Sequence, residues 1–76
     1  MRAGDALRLA IPRLEAAGVE GAARDVRVLL AFALGVAADR LTLHLPEEMT
    51  EAQAATFEAA LVAREARQPV AQITGR

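Results

Sequence analysis

A chain of 76 residues, 54% of them hydrophobic, can build one small domain that buries roughly 60% of its unfolded surface. Nine arginines, no lysine and ten acids leave a net charge of -1, without the clustered basic excess that duplex nucleic acid calls for. No cysteine means no disulfide or thiolate metal site, one histidine argues against a metal-dependent fold, and no apolar run approaches the ~18–20 residues of a membrane span. Met1-Arg2-Ala3-Gly4-Asp5 opens straight into an amphipathic pattern without a leader peptide, which with the lack of cysteine points to the cytoplasm.

The first helix is expected over residues 5–17. Leu7, Ala10, Ile11, Leu14 and Ala17 recur at three- and four-residue steps and share a face, while Arg8, Arg13 and Glu15 lie off it. Gly18 is a natural stop. Pro12 removes the bond to the Arg8 carbonyl and disfavours helical geometry at Ile11, so a kink, or a frayed or tightened turn, is expected rather than a break. The second helix is expected over 22–34, with Ala22, Val26, Leu29, Leu30 and Ala33 as its stripe. Val28 and Phe32 widen that stripe until it reads as a central helix touched from several sides. Gly35 ends it, with Val36 folding back in a Schellman arrangement.

A short helix comes next, over 38–44, anchored by Leu41, Leu43 and Leu45 and closed by Pro46. Thr50-Glu51-Ala52-Gln53 has the spacing of a capping box, so a fourth helix starts there and runs to about Arg67. Its buried stripe is expected at Ala54, Phe57 and Leu61, flanked by Ala60 and Val62. Residues 68–75 fit one more helical turn, with Pro69 at its first position and Gly75 just past its end; an extended exit is the alternative. No period-two alternation persists anywhere. The expectation is an all-α bundle of four to five helices with no sheet, residues 1–67 forming the bundle and 68–76 a hinge turn.

No residue set here has the spacing of a catalytic, cofactor-binding or metal-ligating site. His44 has no paired acid, Ser or Cys at a recognisable distance in sequence and reads as a helix-end residue beside Leu43 and Pro46. Glu47 and Glu48 read as solvated acids near the positive end of the next helix dipole. Asp25, beside Arg24, reads as dipole-complementing or locally paired. Arg64 and Arg67 suit a helix C-terminus and, with Arg40, are the candidates for contact with an acidic partner. Gly18 and Gly21 flank Val19-Glu20 with no preceding strand, so there is no phosphate-binding glycine fingerprint. Val70 and Ile73 call for an apolar surface to pack on, and Pro69, Val70, Ile73 and Gly75 read as an interdomain seam.

Four segments in order carry a resemblance. They are Ala6-Leu7-Arg8 with Arg13-Leu14-Glu15-Ala16-Ala17-Gly18-Val19; Asp25-Val26-Arg27-Val28-Leu29-Leu30-Ala31-Phe32-Ala33-Leu34-Gly35; Leu41-Thr42-Leu43-His44; and Arg64 followed by Gln68-Pro69-Val70-Ala71-Gln72-Ile73-Thr74-Gly75. Together they resemble the N-terminal helical domain of the bacterial release-factor glutamine methyltransferases, the HemK/PrmC family. The chain departs from the commonest pattern at Gln72, where an aromatic is frequent, and at Pro12. The resemblance implies a module that helps dock a class-1 peptide release factor and packs beside its own C-terminal catalytic domain. That domain would carry S-adenosylmethionine on a glycine-rich loop and the substrate glutamine amide on an Asn-Pro-Pro-Tyr motif, neither of which occurs here. The competing reading of the residues is a free-standing helical interaction module, for which Val70 and Ile73 would be covered within the domain or by a second copy. A nucleic-acid binder is disfavoured by the charge balance.

Overall fold

The computed structural model describes residues 1–75, and among these it is all-α: α1 (Ala3–Ala16), α2 (Ala22–Leu34), α3 (Leu41–His44), α4 (Glu51–Glu65) and α5 (Val70–Thr74), with a 3-10 turn at Ala38–Arg40 leading into α3. The first helix begins two residues earlier than its periodicity suggests, because its exposed amides find distant acceptors. Ala3 N–H donates to Glu47 O at 2.9 Å and Gly4 N–H to Leu45 O at 2.8 Å, while Met49 N–H returns to Met1 O at 3.0 Å. An isolated antiparallel bridge joins Arg2 to Glu48, and the N-terminal amine pairs with the Glu48 carboxylate. A helix's first amides have no partner of their own. Here the 45–49 connector supplies one, and Ala3 is buried as a result.

α1 runs through Pro12 without interruption. Pro12 and Arg8 are both exposed, so the carbonyl that lost its donor lies on the side of the helix that water can reach. Ala6, Ala10 and Leu14 are buried, and Leu7, Ile11 and Ala17 pack around them at partial exposure.

α2 is the centre. Val26, Leu29 and Leu30 have no exposed surface, and Val28 and Phe32 are half-buried. It packs against each of the other four helices, and only Ala23 and Arg24 near its start are exposed. Burying each such aliphatic side chain contributes about 1.5–3 kcal/mol, which makes this helix the largest apolar contributor.

Two expected anchors are not anchors. Leu43 is 67% exposed, while Leu41 is fully buried and Leu45 partly so. A spacing of two places alternate residues on opposite sides of a helical turn, so Leu41 and Leu43 cannot both face the core. On α4 the buried residues are Phe57, Ala60 and Leu61, and Ala54 is exposed together with Val62. The capping box forms as its spacing requires: Gln53 N–H donates to Thr50 Oγ1 at 3.0 Å and Thr50 N–H to Gln53 Oε1 at 2.9 Å.

Helices α1, α2 and α4 end alike. In each, a residue with positive φ succeeds the last turn, and the next N–H reaches back five residues: Val19 to Leu14 O, Val36 to Ala31 O and Gln68 to Ala63 O, at 3.0, 3.0 and 3.1 Å. Glycine fills the left-handed position twice, at Gly18 and Gly35. At the end of α4 Arg67 fills it, with φ 73°, and so α4 stops at Glu65 rather than running to Arg67. After this corner the chain takes the helical alternative. α5 starts at Val70, one residue later than expected, with Pro69 as its cap and Gly75 closing it at φ 76°. It packs on α2 and α4, with Val70 and Ile73 half-buried against the core. The last position of the expected hinge turn, residue 76, lies outside the described residues.

Candidate functional site

Two surface grooves and one arginine network hold the chemistry of this domain. The first feature is a groove between α1 and α4, of about 450 Å³. Leu9, Ala10, Met49, Phe57 and Leu61 give it an apolar lining, and Arg13, Glu51 and Glu58 share its wall. Met1 and Leu9, 62% and 59% exposed, also line it. Met1 precedes α1 and Leu9 lies on it, and large apolar side chains grouped in water beside a groove mark where a ligand or partner would bind.

Arg13 fastens the groove's two helices together. Its Nη1 and Nη2 donate to the two Glu58 oxygens at 2.8 Å each, and its Nε and Nη2 to Glu65 at 3.0 and 2.9 Å. Glu58 and Glu65 are seven residues apart and so lie on one side of α4, two turns from one another. The hydrogen bonds from the arginine hold both carboxyls below the ordinary glutamate range, and the two carboxylates in turn raise the guanidinium further above its already high value. Neither Arg13 nor its two acids stands out in the sequence. Arg13 lies off the apolar face, and nothing in a single sequence tells which acids, 45 and 52 residues away, it meets.

The second feature lies across the bundle, where α2, α4 and α5 meet. A shallow groove of about 370 Å³ is lined there by Phe32, Thr56, Ala59, Ala60, Ala63, Gln68, Gln72 and Ile73. None of these is charged.

Beside it sits the arginine network. Arg64 Nε donates to Asp25 Oδ2 at 3.0 Å, with the two side chains only 20% and 11% exposed, and its Nη1 reaches Gln68 O at 3.3 Å. Asp25 is thus tied across the bundle to α4, with Arg24 a more distant neighbour at 4.0 Å. Arg67 donates to Ala17 O at 2.7 Å and Gly18 O at 3.3 Å, occupying the carbonyls that the end of α1 leaves open. Of the three arginines proposed for partner contact, Arg64 and Arg67 come together at the α4–α5 corner, their donors aimed at the protein's own acceptors. Arg40 stands apart at the end of the 3-10 turn, exposed and without an ion pair among the described residues. Of the four seam residues, Val70 and Ile73 pack inward, while Pro69 and Gly75 bracket α5 on the exposed side.

His44 does have an acid partner: its Nδ1 lies 3.0 Å from both Glu47 oxygens, one helical turn on. No nucleophile accompanies the pair among its hydrogen-bonded neighbours. No group of three potential metal ligands occurs among the described residues, and no helix is long and apolar enough to cross a membrane.

Comparison with known proteins gives the chain a family. A family model described as the PrmC N-terminal domain matches residues 5–75. The release factor glutamine methyltransferase of Cereibacter sphaeroides is 63% identical over 75 residues, which is 99% of this chain and 27% of that protein, in its N-terminal region. The protein of the same name from Rhodospirillum rubrum is 38% identical over 63 residues, 83% of this chain and 19% of its own length. The chain thus spans about a quarter or less of the relatives it matches. No solved structure matches it. This chain belongs to the PrmC N-terminal domain family.

Proposed function

We propose that this chain, as a member of that family, is the N-terminal substrate-recognition domain of a peptide chain release factor N5-glutamine methyltransferase working in the cytoplasm. The observation that carries the reading is the 63% identity that extends over 99% of the chain. In the full-length enzyme a C-terminal domain would transfer the methyl group of S-adenosylmethionine to the glutamine amide of the release factor's Gly-Gly-Gln motif. The cofactor does not fit the residues described here, since no strand leads into a glycine-rich loop that could cradle it. The domain's part is to hold the release factor while chemistry proceeds elsewhere, and alone it is inactive.

Binding energy collected far from the reacting atoms is a recognised way to raise the rate of a transfer reaction, because it fixes the orientation of a large substrate. The test is methyl transfer to a purified release factor by the full-length polypeptide, by the same polypeptide lacking residues 1–76, and by residues 1–76 alone. The expected pattern is strong, weak and absent transfer. Equal transfer with and without residues 1–76 would remove the recognition role, and no transfer by the full-length polypeptide would remove the reading altogether.

One observation favours a second reading, the free-standing interaction module. Val70 and Ile73 pack on the domain's own core, as such a module would need. Both keep part of their surface in solvent, however, and Ile73 lines the uncharged groove. A transcript that ends at residue 76 would favour this second reading.

A further inference from the structure

We infer that the uncharged groove where α2, α4 and α5 meet, around Ala59, Gln72 and Ile73, is the seat of the polypeptide C-terminal to this domain. The inference rests on the proposed methyltransferase role and adds to it which face of the bundle is taken by the enzyme itself. Three observations carry it.

The first is where the chain goes. The relative that matches at 63% identity has this chain as its N-terminal 27%, so in that protein the remainder comes after the position of Gly75. Gln72 and Ile73 line the groove, and Gly75 closes α5 two residues later with a left-handed turn. A domain attached there begins at the groove's edge. A short tether gives a high effective concentration, so even a modest interface there would be occupied.

The second is charge. The α1–α4 groove has Arg13, Glu51 and Glu58 in its wall, whereas Phe32, Thr56, Ala59, Ala63, Gln72 and Ile73 bring no charge to this one. Interfaces that stay closed are depleted in charged residues at their centre, while those that open to water tolerate them.

The third is rigidity. Arg64 ties the start of the α4–α5 corner to Asp25 on α2, and Arg67 ties it to the end of α1. A corner held to two other helices gives α5 one direction, and hence gives a C-terminal domain one approach to the groove.

The experiment labels single cysteines in the full-length polypeptide. Ala59→Cys reports the proposed seat and Leu9→Cys the α1–α4 groove; both parent residues are exposed in the domain itself. Maleimide rates are read at each position by mass spectrometry, across a dilution series and without release factor present. The expected result is at least tenfold slower labelling at position 59 than at position 9, unchanged on dilution. Equal rates would overturn the inference. Protection that fades on dilution would overturn it in favour of a second copy of the chain. Ala59→Arg supplies a second readout: unchanged helix content with a larger hydrodynamic radius and faster proteolysis just beyond Gly75. Methyl transfer measured on the same samples separates the two failures. A polypeptide that methylates a release factor yet labels freely at position 59 sinks the seat and leaves the functional reading standing.

Discussion

The two flanks of α4 use arginine for opposite purposes. Toward α1, Arg13 spreads its donors over Glu58 and Glu65, whose side chains are 58% and 31% exposed. Toward α2, Arg64 sits with Asp25 where little water reaches, and at the α4–α5 corner Arg67 spends its guanidinium on the backbone carbonyls at the end of α1. An ion pair in solvent contributes little and yields to salt, because water competes for both partners. One taken out of solvent gains little net stability over an apolar pair, yet removing one member leaves an uncompensated charge. The α1–α4 flank is therefore adjustable, and the α4–α5 corner is committed. A domain that must present a face to a changing partner while holding its exit fixed would divide its charges in this way.

The widest break of the contrast comes from truncating each arginine in turn. Arg64→Ala leaves the Asp25 carboxylate buried without its partner and is expected to cost about 3 kcal/mol, since removing half of a buried pair leaves a bare charge. Arg24, 4.0 Å from Asp25, is the nearest cation left and is too exposed to replace it well. Arg13→Ala is expected to cost a fraction of that, because Glu58 and Glu65 simply return to water. Urea denaturation of the two variants against the parent measures both. Equal losses would mean that the flanks do not differ.

A subtler test sharpens what the corner is made of. Arg67 holds a left-handed conformation that costs a non-glycine residue roughly 1–2 kcal/mol. Its hydrogen bonds to Ala17 O and Gly18 O offset that cost. Arg67→Ala keeps the strain and loses the bonds, whereas Arg67→Gly loses the bonds and the strain together. The alanine variant is therefore expected to be about 1 kcal/mol less stable than the glycine variant, with glycine close to the parent. Identical stabilities would show that the backbone at this position is not what the arginine holds.

That same residue marks where the sequence stops being readable. Gly18 and Gly35 announce helix ends because glycine alone takes positive φ cheaply, and the Thr50–Gln53 spacing announces a helix start. Those signals are local, and the helices they bound agree with the structure within two residues, as does the all-α class. Arg67 carries no such signal. It reads as a helical residue with a favourable charge, and only carbonyls some fifty residues upstream make its conformation tolerable. The start of α1 is hidden for the same reason, since its acceptors are Leu45 and Glu47. Leu43 looks like an anchor in the sequence, but three leucines spaced by two cannot all face one core across a helical turn. The Asp25–Arg64 pair joins residues 39 apart, and the Arg13 triad spans 52, so neither is legible. The family resemblance is legible because it lives in the order of local segments, which none of these long-range contacts disturbs.

The smallest expected effect tests the adjustable flank directly. Glu58 and Glu65 are held below the ordinary carboxylate range by Arg13, so the folded state binds fewer protons than the unfolded chain at mildly acid pH. For carboxyls depressed in the fold, the stabilisation is complete above the unfolded value, near pH 4.3, and is lost as pH falls through the lower folded value. Melting temperature should accordingly be level between about pH 6 and 8, then fall as the pH drops below ~4.5. In Arg13→Met the two carboxyls lose the donor that lowers them, so the acid-side fall should be shallower, while the neutral plateau drops only slightly. Added salt should shrink the difference between parent and variant, because both acids can be reached by water. Thermal melts from about pH 7 down to about pH 3, in low and in high salt, give the comparison. Superimposable acid limbs would mean that the triad sets no part of the stability and that the α1–α4 flank is held by Leu14, Phe57 and Leu61 alone.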